Sequence, residues 1–129
     1  MTVSARNWAW DIDRIADRKG DLRRIKPGEK LLLLCLAEHE NAEYGYAFPG
    51  QERIAAVTGQ GLTTIRQHLR ELEAARLVPL EHRFSSRSGF SNNIYFLNVD
   101  ARFRRSDKGW MKHQPTETLI DGYRHVGGR

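Results

Sequence analysis

The chain has 129 residues, enough for one domain with extensions and too few for two independent cores. Its 21 Lys and Arg outnumber 16 Asp and Glu, for a formal charge of +5 and an isoelectric point near 9.7. That balance points to a polyanionic partner, with ordinary solubility charge as the alternative. A single cysteine, Cys35, excludes an internal disulfide and suits a reducing, cytoplasmic setting. No apolar run nears the roughly 20 residues that cross a bilayer, and "MTVSARNWAWDIDR" has no signal-peptide core, so neither membrane nor export is expected. The charge is uneven: +3 over residues 1–30, −3 over 31–57, +2 over 58–99 and +3 over 100–129.

Ala5, Trp8, Ile12 and Ile15 recur at helical spacing, with Ser4 as a cap and Gly20 as a stop, which predicts an amphipathic helix over 4–18. "DRKGDLRRIKPGE" reads as a basic connector, and Pro27-Gly28 marks a second helix from about 29 to 40. The leucines of "KLLLLCLAEH" supply the centre of the core, with Cys35 a buried, unreactive thiol. In "NAEYGYAFPG" the alternation of Tyr44, Tyr46 and Phe48 suits a short strand that enters a brief helix over 51–57.

"TGQGLTTIRQHLRELEAARLV" follows, with Gly59 placed for a turn of positive φ and Gly61 able to cap a helix over about 61–75. Ile65, Leu69 and Leu72 recur at i, i+4 and i+7 and define its buried face, so Leu62, Thr63, Arg66, Gln67 and Arg70 share the other. Arg66 and Gln67 can pair with guanine and adenine edges in a DNA major groove, and Leu62 and Thr63 can meet a thymine methyl. Gln60, Thr64 and Arg70 are placed for phosphates. A plain solvated face is the alternative.

"LVPLEHRF" and "NNIYFLNV", joined by "SSRSGFS", read as a β-hairpin whose first strand Pro79 places at an edge. The hairpin puts Arg83, Ser85, Ser86, Arg87 and Ser88 in a wing over 83–92, suited to a sugar-phosphate backbone. Residues 100–129 form a basic extension with a weak helical pattern of Leu119, Tyr123 and Val126, and it need not be ordered throughout. The order of elements is that of an α+β winged helix-turn-helix: a three-helix core with a C-terminal β-hairpin wing, plus an N-terminal helix and a C-terminal extension. The expected divisions are 1–26, 27–99 and 100–129.

With "NWAW", "EKLLLLCLAEHENAEYGYAFPGQERIAAVTGQGLTTIRQHLRELEAARLV" and "SNNIYFLNV", the chain resembles the winged helix-turn-helix domains of actinobacterial and other bacterial plasmid or phage replication proteins and transcriptional regulators. The likeness spans about 6–99. Its most specific parts are the helix over 30–39 before a Tyr-Gly turn and Phe48-Pro49, the Thr58-Gly59 turn, Leu72-Glu73, and Asn93-x-Tyr95. Such domains carry an aliphatic residue and then a Ser-like cap after the turn glycine, whereas Gln60 and Gly61 stand here. The resemblance implies double-stranded DNA as partner.

Other chemistry finds little support in the sequence. The five histidines, at 39, 68, 82, 113 and 125, have no zinc-ligand spacing. His39 and Glu43 read as a surface pair, and His68 as packing against the brief helix. Without a phosphate-cradling loop, nucleophile elbow or magnesium cluster, the expectation is no enzyme, no metal and no cofactor. A transcriptional regulator is the first reading. DNA binding in plasmid or phage replication initiation or partition is the alternative, and a winged-helix protein-interaction module the alternative of another class. A homodimer is expected through Trp8, Ile12 and Ile15 or through Trp110, Leu119 and Tyr123, unless both sets fold back onto their own domain.

Overall fold

Thr2 starts the first helix, α1 (Val3–Asp11): its hydroxyl oxygen accepts the Ala5 amide at 3.3 Å. From far along the chain the Asp107 carboxylate accepts the Val3 and Ser4 amides at 3.2 and 2.8 Å. These acceptors satisfy N–H groups that a first turn leaves unpaired. The computed structural model describes residues 2–85, 91–108, 110 and 123–126, with 81–85, 91–92 and 123–126 described by backbone alone.

The helix ends at Asp11, short of the residue 18 that the periodicity predicts. Lys30 Nζ donates to the carbonyls of Trp10 and Ile12 and closes this end with a positive charge. The chain then forms an antiparallel ribbon, β1 (Arg14–Ala16) and β2 (Leu22–Arg24), with Arg14 opposite Arg24, Ile15 opposite Arg23 and Ala16 opposite Leu22. Asp17 builds its turn, its carboxylate accepting the Lys19 and Asp21 amides at 2.9 Å each, and Gly20 supplies a φ of +92°. Gly20 therefore serves a hairpin and stops no helix. Ile15 points inward and Arg14 outward, a strand alternation that three residues cannot distinguish from helical spacing on paper.

Pro27 occupies the first position of α2 (Pro27–Glu38), and the Glu29 carboxylate accepts the Lys26 amide at 2.9 Å. Leu32, Leu33 and Leu36 are fully buried and join Trp8, Ile54, Ile65 and Leu72 in the core. Each such side chain contributes roughly 1.5–3 kcal/mol. His39 closes the helix, its Nδ1 meeting the Cys35 carbonyl at 2.8 Å. With the helix over, the expected pair with Glu43 does not form; instead Asn41 Oδ1 accepts the Glu43 and Tyr44 amides in a turn that Gly45 completes at φ +85°. Cys35 is buried and desolvation pushes its thiol pKa up, in keeping with an inert thiol.

Beyond this turn Ala47 pairs with Tyr95 through both backbone bonds, 2.9 and 2.7 Å, and Tyr44, Tyr46 and Phe48 cluster with ring centroids 5.7–6.3 Å apart. Next come α3 (Gln51–Thr58) and α4 (Leu62–Ala74), then β3 (Leu80–Ser85) and β4 (Ser91–Tyr95) as an antiparallel hairpin. Pro79 does not leave β3 at an edge. It precedes the strand and removes only its own donor, and β5 (Tyr123–Val126) pairs with His82 to Ser85 on the free side, giving the order β4-β3-β5. The segment from Tyr123 to Val126 is thus a strand, where the sequence predicts a weak helix. The whole is an α+β fold of winged helix-turn-helix layout, as the sequence predicts.

The C-terminal extension begins with α5 (Ala101–Arg104), which packs on α1. Arg104 donates to both carboxylate oxygens of the fully buried Glu40, at 2.8 and 2.9 Å, and to Ser4 Oγ at 2.9 Å, while Thr2 donates to Glu40 at 2.6 Å. Trp110 covers the guanidinium, 3.3 Å from ring centroid to Cζ. Removing one partner of a buried ion pair strands the other charge. Replacing Arg104 with Met is therefore expected to lower the unfolding free energy by about 3 kcal/mol or more. Urea unfolding checks this, and a loss below about 1 kcal/mol, the range of exposed pairs, contradicts it.

Candidate functional site

The site is built around α4. Gly59 ends α3 in the left-handed conformation at φ +71°, its amide bonded to the Ala55 carbonyl, as the turn requires. Gly61 then caps α4 through extended backbone at φ −72° and ψ 158°, with no side-chain cap. The first N–H groups of α4 are left for an outside acceptor, and the helix dipole favours an anion there. Ile65, Leu69 and Leu72 are buried, and Leu62, Thr63, Thr64, Arg66, Gln67 and Arg70 are exposed. The structure thus brings the expected face together on one helix.

Two members of the expected set are engaged within the molecule. Arg66 Nε donates to Gln51 Oε1 at 3.0 Å, so the first residue of α3 orients this guanidinium. Gln60, expected on a phosphate, instead donates its side-chain amide to the Gly28 carbonyl at 3.2 Å and ties the turn to the start of α2. His68 faces the same place: a Cβ on Gly28 would lie 2.6 Å from His68 Nε2. Glycine at 28 allows this close approach of α2 to α4.

In the hairpin, Arg83 lies on β3 opposite Asn92 and His125, and Ser85 opposite Tyr123. Ser86, Arg87 and Ser88 lie outside the described residues, as does Leu119. Four of the apolar residues expected to be left over for a partner copy, Trp8, Ile12, Ile15 and Trp110, are used by their own chain. Trp8 and Ile15 are 4% and 3% exposed, Ile12 packs against the core, and Trp110 stacks on Arg104. Trp8 belongs to the core cluster that holds the α2 leucines, and Ile15 turns inward because its segment is a strand. Tyr123 is part of β5. The apolar side chains near the N-terminus that do remain exposed are Val3, Trp10 and Leu22.

Sequence reasoning missed Gln51 and the ribbon. Gln51 could have been found as the first side chain after Gly50 at the start of the helix that precedes α4. Arg23 donates to both oxygens of buried Glu29, at 2.9 and 2.8 Å, and lies 3.7 Å from Glu71; Arg18 meets Glu71 at 3.3 Å. Burial pushes the Glu29 pKa up, but the hydrogen bonds from Arg23 and the Lys26 amide, with the charges of Arg23 and His68, outweigh it and hold the pKa below its usual value. Glu71, at one flank of the exposed face of α4, is thus met by Arg18 and Arg23. Among the described residues no group of three or more His, Cys, Asp and Glu could hold a metal ion, and no helix is long and apolar enough to cross a membrane.

Residues 23–78 match the model of a family described as a helix-turn-helix domain. The match begins within β2 and covers α2, α3 and α4, so this stretch is a helix-turn-helix domain, a fold that points to DNA binding. No curated protein and no solved structure matches the chain.

The depressed Glu29 pKa couples stability to pH. Its contribution is fully present above the ordinary carboxylate value of 4.5 and is lost as pH falls through the lower folded-state value. Urea midpoints of Glu29→Gln measured from pH 6 downward should therefore fall less steeply below about pH 4.5 than those of the wild type. Parallel curves would show that Glu29 titrates alike in both states.

Proposed function

We propose that the protein binds double-stranded DNA sequence-specifically as a transcriptional regulator, with α4 in the major groove and the hairpin over 83–92 on the backbone. One observation carries this reading: α4 exposes Leu62, Thr63, Arg66, Gln67 and Arg70 on one side, above an N-terminus free of any side-chain cap. Arg66 and Gln67 would pair with base edges, Leu62 and Thr63 would meet thymine methyls, and Thr64 and Arg70 would fix register on phosphates. Arg83, Ser85, Ser86, Arg87 and Ser88 would add backbone contacts from the hairpin. No metal, cofactor or catalytic step is needed for this role, and it places the protein in the cytoplasm with the chromosome.

A single recognition helix reads only a few base pairs, too few for a unique address in a genome, so the reading includes a homodimer on a two-part site. With Trp8 and Ile15 buried, the exposed Val3, Trp10 and Leu22, at 41%, 63% and 70%, are the apolar side chains left near the N-terminus to support it.

Selection of bound duplexes from a genomic library supplies the site and its setting. Operators upstream of genes support regulation, whereas a cluster at a replication origin or a centromere-like repeat would move the role to replication or partition. On the selected duplex, Arg66→Ala or Gln67→Ala should cost about 1–3 kcal/mol and relax preference at one or two positions. Light scattering of the complex should give two copies per duplex. Equal losses on selected and random duplexes would remove the base-reading role, and one copy at saturation would remove the dimer.

A further inference from the structure

The face of α4 assigned to base reading has α3 along one flank. Arg66, bonded to Gln51, marks that flank. Glu71, bonded to Arg18 and near Arg23, marks the other. Five residues separate them, about 140° around the helix, and Thr63, Gln67 and Arg70 fall between. The ribbon formed by β1 and β2 therefore lies beside the reading face, opposite α3. We propose that the tip of this ribbon, with Arg18 and Lys19, is a second phosphate-binding element that grips the duplex backbone on that side. The proposal rests on the DNA-binding reading above and extends it to a segment that lies mostly before the helix-turn-helix match.

Three features of the ribbon support this. First, it is rigidly held: Ile15 is 3% exposed, Arg23 is locked to Glu29, and Asp17 fixes the turn through two amide bonds. Its tip is thus presented in a set position, as a backbone clamp needs. Second, its outward charge is positive. Arg14, Arg18, Lys19, Arg24 and Lys26 are exposed and outnumber the exposed carboxylates of the same stretch, Asp13 and Asp21; the Asp17 carboxylate is occupied by the turn, and Arg14 sits directly opposite Arg24. Like charges in that register repel one another, and a polyanion alongside would relieve the repulsion. Third, stability does not account for the tip cations. The Arg18 side chain is 62% exposed, and such a pair contributes about 0–1 kcal/mol. Lys19 has no ion-pair partner among the described residues.

The test is binding of the full chain to a labelled duplex of random sequence over a series of KCl concentrations. Arg18→Ala/Lys19→Ala should reduce the slope of log K against log[salt] by about 1–2, with equal weakening on every sequence. Arg18→Lys/Lys19→Arg, which keeps both charges, should restore the wild-type slope. Thermal unfolding reports whether the double variant keeps its fold. If it does not, Lys19→Ala alone, at a side chain without an ion-pair partner, is read instead and should lower the slope by about 1. Arg70→Ala serves as the control on α4. A wild-type slope in the ribbon variants, beside a reduced slope for Arg70→Ala, would overturn the ribbon contact and leave the reading of α4 standing. A wild-type protein that binds no duplex would overturn both.

Discussion

Helix α2 has a fully buried carboxylate near each end, Glu29 in its first turn and Glu40 just past its last. A buried carboxylate without a partner is strongly unfavourable, so each needs a cation and a full set of hydrogen bonds. Arg23 supplies them for Glu29 from the ribbon, and Arg104 for Glu40 from α5, each through two bonds of 2.8–2.9 Å. The arginines come from segments that lie before α2 and after α4 in sequence. Two ion pairs thereby attach both flanking segments to the central helix.

This attachment shapes the surface around α4. Because Arg23 must reach Glu29, the ribbon is drawn to the start of α2, where Gly28 already touches His68 and Gln60. The ribbon then runs beside α4, and its tip meets Glu71. At the other end of α2, the pairing of Arg104 with Glu40 brings Asp107 to the start of α1 and Trp110 over the guanidinium. The exposed face of α4 thus stands between two supports, α3 and the ribbon, and α1 and α5 close the far side of the core.

The helices of the site were legible because their signals are local and periodic. Ile65, Leu69 and Leu72 repeat over two turns, and Gly59 and Gly61 bracket a turn whose geometry needs them. The ribbon was not legible. Ala5, Trp8, Ile12 and Ile15 fit one helical stripe, and only long-range contacts decide otherwise: Lys30 closes α1, and Arg23 finds Glu29. Charge counts along the sequence do not show which carboxylates are buried, yet Glu29 and Glu40 are in the core because Arg23 and Arg104 neutralise them. The Tyr123 to Val126 strand was hidden for the same reason, since pairing with β3 overrides a weak local preference for helix. Gln60 shows the limit at the site itself: its type suited a phosphate contact, and its bond to Gly28 depends on how α2 approaches the turn.

The central claim is that the outward side of α4 is the surface that meets DNA. Titrating isotope-labelled protein with a bound duplex and following its backbone amides by NMR tests this most directly. The account predicts that the largest shift changes fall on residues 61–70, with smaller ones at 17–20 and 50–51 and little change at the Arg104 and Glu40 pair. Changes concentrated on α1 and α5, with α4 silent, would contradict it.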